Sequence, residues 1–310
     1  MAVSTKEVAL VIGASRGIGR QIAVDFAKQG YAVVIAAKST SDPSKTTPFP
    51  PDPNSPASTI STVEHEIRSS GGDATAIPVD TRSYPSIHHL IAQTLSTYGH
   101  IDVLVYNSGA IWWSSVSNTP FSRFQLLQRV NIEGLYGVLS AAFPHFEARG
   151  WRARIVVVCP PIYSRFFRGK TAYAVGKVGM SVLVKGLAMD FRREEKVGMA
   201  VSGLWPATAV QSAATEKMAQ EVRAELRMPA VFSDAVLAVV RAPVEEVNGE
   251  LLVDEDFLRE KGVCDFEKYS LVPGSRPRRI MPVEFPDLRV REQEEKGRRM
   301  DSVKLRAAKL

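Results

Sequence analysis

The 310-residue chain carries only two cysteines, Cys159 and Cys264, 105 positions apart. That is too few for a disulfide framework or a thiolate metal cluster, and it fits a reducing compartment. No run of about 18 uncharged apolar residues occurs, so no membrane span is expected. The apolar stretch Val8–Ile12 is too short for a signal-peptide core and runs directly into Gly13-Ala14-Ser15-Arg16-Gly17. The five histidines, His65, His88, His89, His100 and His145, show no metal-ligand spacing on one helix or strand, and no metal is expected. A nucleophile elbow with serine, histidine and aspartate is missing, which leaves hydrolase chemistry without support. No internal repeat is visible.

What is present is ordinary globular composition, 45% hydrophobic and 23% charged, which excludes a wholly disordered chain, collagen and coiled coil. The net charge of +6 would suggest nucleic acid if it were spread over one face. Residues Arg276–Leu310, however, hold 11 Lys or Arg against 6 Asp or Glu, so nearly all of the excess lies at the C-terminus. No patch of aromatics interleaves with those basic residues. A basic, proline-containing tail of this kind reads as a solvated extension, and nucleic acid is not an expected partner.

Seven short, continuous apolar runs alternate with helical patterns: Val8–Ile12, Ala32–Ala37, Ala74–Val79, Ile101–Tyr106, Ile155–Val158, Met199–Leu204 and Leu251–Val253. Strands buried on both faces of a parallel sheet read this way. The segments Ile18–Gln29 and Ala172–Lys196 have helical period; Gly30 sits where a helix ends, and Gly71-Gly72 closes another helix near Val63–Arg68. The expected fold is α/β, a doubly wound (Rossmann) and mostly parallel seven-stranded sheet with helices on both faces. The expected body covers residues 1–270, interrupted at 39–57 by a long loop bearing Pro43, Pro48, Pro50, Pro51, Pro53 and Pro56. Residues 271–310 read as a basic tail.

Gly13, Gly17 and Gly19 lie between the first strand and the first helix. In that context Gly13 permits a tight turn, Gly17 lets backbone approach a pyrophosphate, and Gly19 allows close packing, with Ser15, Arg16 and Ile18 lining the same turn. The amides at the helix N-terminus would face the phosphates. The second strand ends Ala36-Ala37-Lys38-Ser39, with no carboxylate before Asp42. An acidic residue there would accept from the ribose 2′-hydroxyl and repel a 2′-phosphate. Lys38 and Arg16 instead predict NADP(H) as the cofactor.

Tyr173-Ala174-Val175-Gly176-Lys177 sets a phenol and an ammonium one helical turn apart. A phenol titrates near 10, and a neighbouring cation is expected to lower that value towards use as an acid/base. With the glycine turn, Asp80 after the third strand, Tyr106-Asn107-Ser108-Gly109 after the fourth, and Asn131, these residues resemble the short-chain dehydrogenase/reductase family in type and order over about residues 5–255. The resemblance implies Tyr173 as the catalytic acid/base, Lys177 on the nicotinamide ribose, and Asn131 carrying a water in the proton relay. It further implies Asp80 at the adenine and Asn107 with Gly109 beneath the adenosine ribose. Trp205-Pro206-Ala207-Thr208-Ala209-Val210 then lies beside the carboxamide, bringing Thr208 and Val210 to the cofactor. Homodimers or homotetramers built on the helix of Tyr173 are implied as well.

The chain departs from the family at Pro160, 13 residues before Tyr173, where a catalytic serine is usual. Proline has no side-chain donor; Ser164 and Tyr163 are the replacements nearby. Within the family the chain resembles a subgroup through Cys159-Pro160-Pro161, Leu204-Trp205-Pro206 and Leu251-Leu252-Val253-Asp254-Glu255. That subgroup carries a sterol-carrier-like domain for which this chain is too short, so no lipid-carrier role is expected. Trp112-Trp113, with Phe121 and Phe124, is expected to rim the substrate cleft or to pack as core. Ala308-Lys309-Leu310 is a variant of the Ser-Lys-Leu peroxisomal address, implying an import receptor as partner and a peroxisomal location, or otherwise a cytoplasmic one. The expected activity is hydride transfer between NADP(H) and a small apolar carbonyl or secondary alcohol. The alternative is a non-catalytic NADP(H)-binding sensor or scaffold.

Overall fold

The computed structural model describes residues 5–215, 220–288 and 302. Its elements run β1 (Val8–Ile12), α1 (Gly17–Lys28), β2 (Ala32–Ala37), α2 (Ile60–Ser69), β3 (Asp73–Pro78), α3 (Tyr84–Tyr98), β4 (Val103–Tyr106) and α4 (Phe121–Gln128). They continue with α5 (Gly134–Ala148), β5 (Ala153–Val158), α6 (Thr171–Arg193), β6 (Met199–Trp205), α7 (Ala230–Arg241), α8 (Val244–Val247), β7 (Leu251–Val253) and α9 (Asp254–Glu260). The strands form one sheet in the order β3-β2-β1-β4-β5-β6-β7. Every pairing is parallel, and among the described residues no antiparallel strand joins the sheet.

Strand periodicity sorts the core into two layers. Ala9 and Val11 of β1 face a layer built with α1, α2, α7 and α9. Val8, Leu10 and Ile12 face the opposite layer, under α3, α5 and α6. All of β1, β2 and β4 is buried, which is why these strands read as unbroken apolar runs. At the β3 edge Asp73 and Thr75 are only partly covered. The strand order reverses between β1 and β4, the place beyond whose carboxyl ends open α/β sheets form a ligand crevice.

Two long segments are less independent than their composition suggests. The 39–57 loop folds back on the turn after β1: the Gly17 amide donates to the Pro53 carbonyl at 2.9 Å, and the Ser58 hydroxyl to the Ser15 carbonyl at 2.7 Å. The second lies past residue 270, where the sequence placed a tail. Residues 271–288 instead pack on the body, because Arg279 grips both oxygens of Asp256 at 2.5 and 2.6 Å and pairs as a strand bridge with Thr208. The charged piece from Leu288 onward and the terminal Ala308-Lys309-Leu310 lie almost wholly outside the described residues.

Helix α6 has the length and apolarity to cross a membrane by composition. Here that composition serves the core, with half of the stretch buried and Lys177 facing the crevice.

Candidate active site

The turn from β1 into α1 is shaped by what its glycines exclude. A Cβ on Gly13, whose φ is +86°, would stand 2.6 Å from the Ser108 amide nitrogen, and one on Gly19 would overlap the Gly13 carbonyl. Asn107 Nδ2 donates to that carbonyl at 2.9 Å, tying the turn after β4 to the turn after β1. Ser15 is buried and Ile18 half-buried beside them. Arg16 caps the start of α1 in extended conformation and makes no ion pair among the described residues. Gly109 is exposed on the crevice, and a Cβ there would sit 3.4 Å from Lys177 Nζ and 3.5 Å from Asn131 Oδ1.

At the end of β2, Lys38 is exposed and pairs with Asp80 at 3.4 Å. Arg82 forks onto the same carboxylate at 2.8 and 2.6 Å, and holds it well below the usual carboxylate range. Asp80, assigned to the adenine by resemblance, is thus engaged by two cations.

Helix α6 brings Tyr173 and Lys177 to one face, both almost fully buried. Asn131 joins them from a π-helical turn, Arg129–Glu133, between α4 and α5. A π turn stretches each backbone bond by one residue and leaves a carbonyl over. The Tyr106 hydroxyl meets that need, donating to the Val130 carbonyl at 2.6 Å. Asn131 is fully buried and holds the Ala110 backbone at both ends of its amide, accepting from the nitrogen at 3.0 Å and donating to the oxygen at 3.3 Å.

Lys177 Nζ donates to the Val158 carbonyl at 2.8 Å. Burial brings its pKa down to about 8, with the Cys159 thiol opposing; the same burial pushes that thiol up to about 12. Tyr173 differs from the sequence expectation. Its phenol lies above the ordinary value, because burial removes water from it and the Lys177 ammonium is turned to Val158. Its hydroxyl has no hydrogen-bond partner among the described residues, while its ring packs against Trp113 and Phe166 at 6.3 and 6.1 Å.

At Pro160 the carbonyl accepts from Ser181 Oγ at 2.7 Å, and no side-chain donor stands there. Neither nearby candidate fills the place. The Tyr163 hydroxyl donates to Met281 Sδ at 3.3 Å, and Ser164 is exposed. Thr208 and Val210 are buried in the segment after β6. That segment is pinned from two sides: the Ala207 amide donates to Asp254 Oδ1 at 2.7 Å, and the Ala207 carbonyl accepts from the Ile280 amide at 2.8 Å. A cavity of about 480 Å³ opens beyond it, lined by Ile111, Trp112, Trp113, Ser114, Ala213 and Ala214. No cluster of potential metal ligands occurs among the described residues.

Sequence reasoning did not find Tyr106, Asp254 or residues 279–281 as parts of the site. Asp254 offered a signal, an acid directly after the last strand and opening a helix; the return of 279–281 to Ala207 offered none.

The profile of a family described as Enoyl-(Acyl carrier protein) reductase matches residues 13–236, more than half of the chain. The chain belongs to the short-chain dehydrogenase/reductase family. Among this family of oxidoreductases, hydroxysteroid dehydrogenase-like protein 2 of Danio rerio is 35% identical over 267 residues, which are 85% of this chain and 60% of that protein. The chain therefore spans 60% of the length of that relative. A protein from Xanthomonas campestris described as a dehydrogenase superposes with a TM-score of 0.77 at 31% identity, covering 94% of this chain and all of the other. A variant actinorhodin polyketide ketoreductase, crystallised with NADPH, shares the fold with a TM-score of 0.66 at 23% identity, over 82% of this chain and 97% of its own.

Proposed function

We propose that the chain is an NADP(H)-dependent reductase of an apolar carbonyl, with Tyr173 as the proton donor. The carrying observation is the phenol of Tyr173, which has no hydrogen-bond partner among the described residues, is kept protonated by burial and shares a face of α6 with Lys177, itself beside Gly109 and Asn131. The residues present fit a dinucleotide: Gly13 lets the turn close against Ser108, space is left beside Gly17 and Gly109, and a buried polar atom at Asn54 lacks a partner among the described residues beside the turn. NADP(H), when bound, supplies the hydride. Gly13, Ser15, Gly17, Ile18 and Gly19 would hold its phosphates, and Arg16 with Lys38 would favour the 2′-phosphate. Asn107 and Gly109 would line the adenosine ribose, Lys177 the other ribose, and Thr208 and Val210 the carboxamide. Asp80, with Arg82 and Lys38, would border the adenine.

Tyr173 delivers its proton to the oxygen as the carbonyl becomes an alkoxide, and Asn131 holds the Ala110 backbone that borders the path of replacement protons. A phenol raised above its ordinary value stays protonated at neutral pH, so the form that donates in reduction is populated and the phenolate that oxidation needs is scarce. Trp113, 55% exposed and packed on Tyr173, supports an apolar substrate. Loss of NADPH absorbance at 340 nm against a panel of apolar ketones and aldehydes tests this, with Tyr173→Phe alongside. Turnover that survives in the variant refutes the assignment.

Pro160 favours a second reading, a protein that binds NADP(H) without turnover; tight NADPH binding by calorimetry with no consumption across the panel would select it. Exposed Val175, Val182 and Met189 on α6, with Tyr136 on α5, support self-association of the chain through these helices. Removal of Ala308-Lys309-Leu310 from a fluorescently tagged chain tests the peroxisomal address; puncta that persist would defeat it.

A further inference from the structure

The proline-rich loop carries a polar side chain with no partner among the described residues. Asn54 is 4% exposed, yet its Oδ1 accepts no hydrogen bond, and no partner of its Nδ2 occurs among the described residues. Buried amides are almost always paired, so one left over asks for a ligand. The loop is not loosely placed. Its prolines pre-set the backbone, and it is fastened where Pro53 accepts from the Gly17 amide, where Ser58 donates to Ser15, and where the Ile60 amide donates to the Ser39 carbonyl. The backbone N–H of Asn54 donates to Asp52 Oδ1 at 2.8 Å.

These bonds place Asn54 against the first turn of α1, a helix of 12 residues. A Cβ added to Gly17 would lie 3.5 Å from Asn54 Oδ1 and 3.5 Å from Ser212 Cβ, so the two side chains flank that turn. The positive end of α1 attracts an anion there. The two ends of the amide exchange on a half-turn of its terminal torsion, which presents Nδ2 as a donor to an acceptor-only group.

We propose that Asn54 is a further ligand of the dinucleotide diphosphate, and that the proline-rich loop forms the outer wall of the cofactor site. The proposal rests on the reading that this chain binds a nicotinamide dinucleotide.

The test measures the Kd of NADPH and of NADH by calorimetry on the full chain and on Asn54→Asp and Asn54→Leu, with the melting temperature of each protein without cofactor. The aspartate keeps the shape but offers only acceptors, and should weaken both cofactors by tenfold or more and by the same factor, since they share the diphosphate. The leucine should also weaken both, yet raise the melting temperature, because the orphaned amide is gone. If the unaltered chain binds and both variants bind equally well, Asn54 is not a ligand and the cofactor reading stands. A loss confined to NADPH moves the contact to the 2′-phosphate and overturns the diphosphate assignment. An unaltered chain that binds neither cofactor removes the cofactor reading itself, and the proposal with it.

Discussion

Lys177 Nζ donates to the carbonyl of Val158 at 2.8 Å, so the ammonium one helical turn from Tyr173 is anchored to the end of β5 rather than to the phenol. Its pKa of about 8 makes the site sensitive to alkali: kcat/KM for NADPH-dependent reduction should fall as pH rises through about 8. The effect on stability has the opposite sign. A lysine whose folded value is depressed costs stability while it is charged, so the cost is present below pH 8 and relieved as pH climbs towards 10. The melting temperature of Lys177→Met relative to the unaltered protein should therefore be most favourable near pH 7 and decline by pH 10. A difference that does not change with pH would refute a buried, titrating Lys177.

Tyr173→Phe removes the proposed proton donor without removing the ring that packs on Trp113 and Phe166. Reduction should drop on the order of 100-fold or more, with the Kd of NADPH little changed. Because burial raises the phenol, oxidation of a secondary alcohol by the unaltered enzyme should gain on reduction as pH is taken from 7 to 10. Equal pH profiles for the two directions would contradict that.

The strands were legible because burial on both faces leaves a single chemical signature: β1, β2 and β7 have the bounds their apolar runs suggested. The glycine turn was legible for a steric reason, since Gly13 and Gly19 each lie where a side chain would collide with backbone. What escaped the sequence depends on contacts between distant residues. The π turn around Asn131 is completed by Tyr106, 24 residues before Val130, and the Ala207 segment by Asp254 and Ile280. The rise in the Tyr173 phenol escaped too, because the 173/177 spacing fixes which face Lys177 shares but not where its ammonium points.

Asp254 holds the Ala207 and Glu255 amides at 2.7 and 2.6 Å through Oδ1, while Oδ2 is buried without a partner. Burial raises its pKa from 3.8 to about 7. A raised carboxyl binds its proton more tightly in the folded state, so stability falls as pH rises from about 4 to 7. Asp254→Asn keeps the accepting oxygen and removes the charge, a gain of at most about 4 kcal/mol at 1.36 kcal/mol per pKa unit. Its melting temperature relative to the unaltered protein should improve steadily from pH 5 to pH 8. A gap that stays constant would mean that Asp254 does not titrate in this range.

Lys38→Asp would place a carboxylate beside Asp80, where Arg82 alone remains to balance the two. A 2′-phosphate would meet repulsion and a ribose hydroxyl an acceptor. KM for NADPH should rise on the order of tenfold, about 1.4 kcal/mol, while KM for NADH falls. Unchanged relative KM values would defeat the preference for NADP(H).

Pro160→Ser separates a slow enzyme from a protein that only binds. The Pro160 carbonyl is held by Ser181, so the backbone is fixed before the substitution is made. Tyr163 is committed to Met281 and Ser164 is exposed, so neither nearby hydroxyl replaces the absent one. A serine at 160 would restore a donor beside the reacting oxygen, a contribution worth about 100-fold where comparable donors have been removed. Single-turnover reduction of a ketone by Pro160→Ser should therefore outpace the unaltered chain, with the Kd of NADPH unaltered. If the substituted protein turns over no faster, oxygen stabilisation is not what limits this site, and the rate must be sought in Tyr173 or in the fit of the substrate against Trp113.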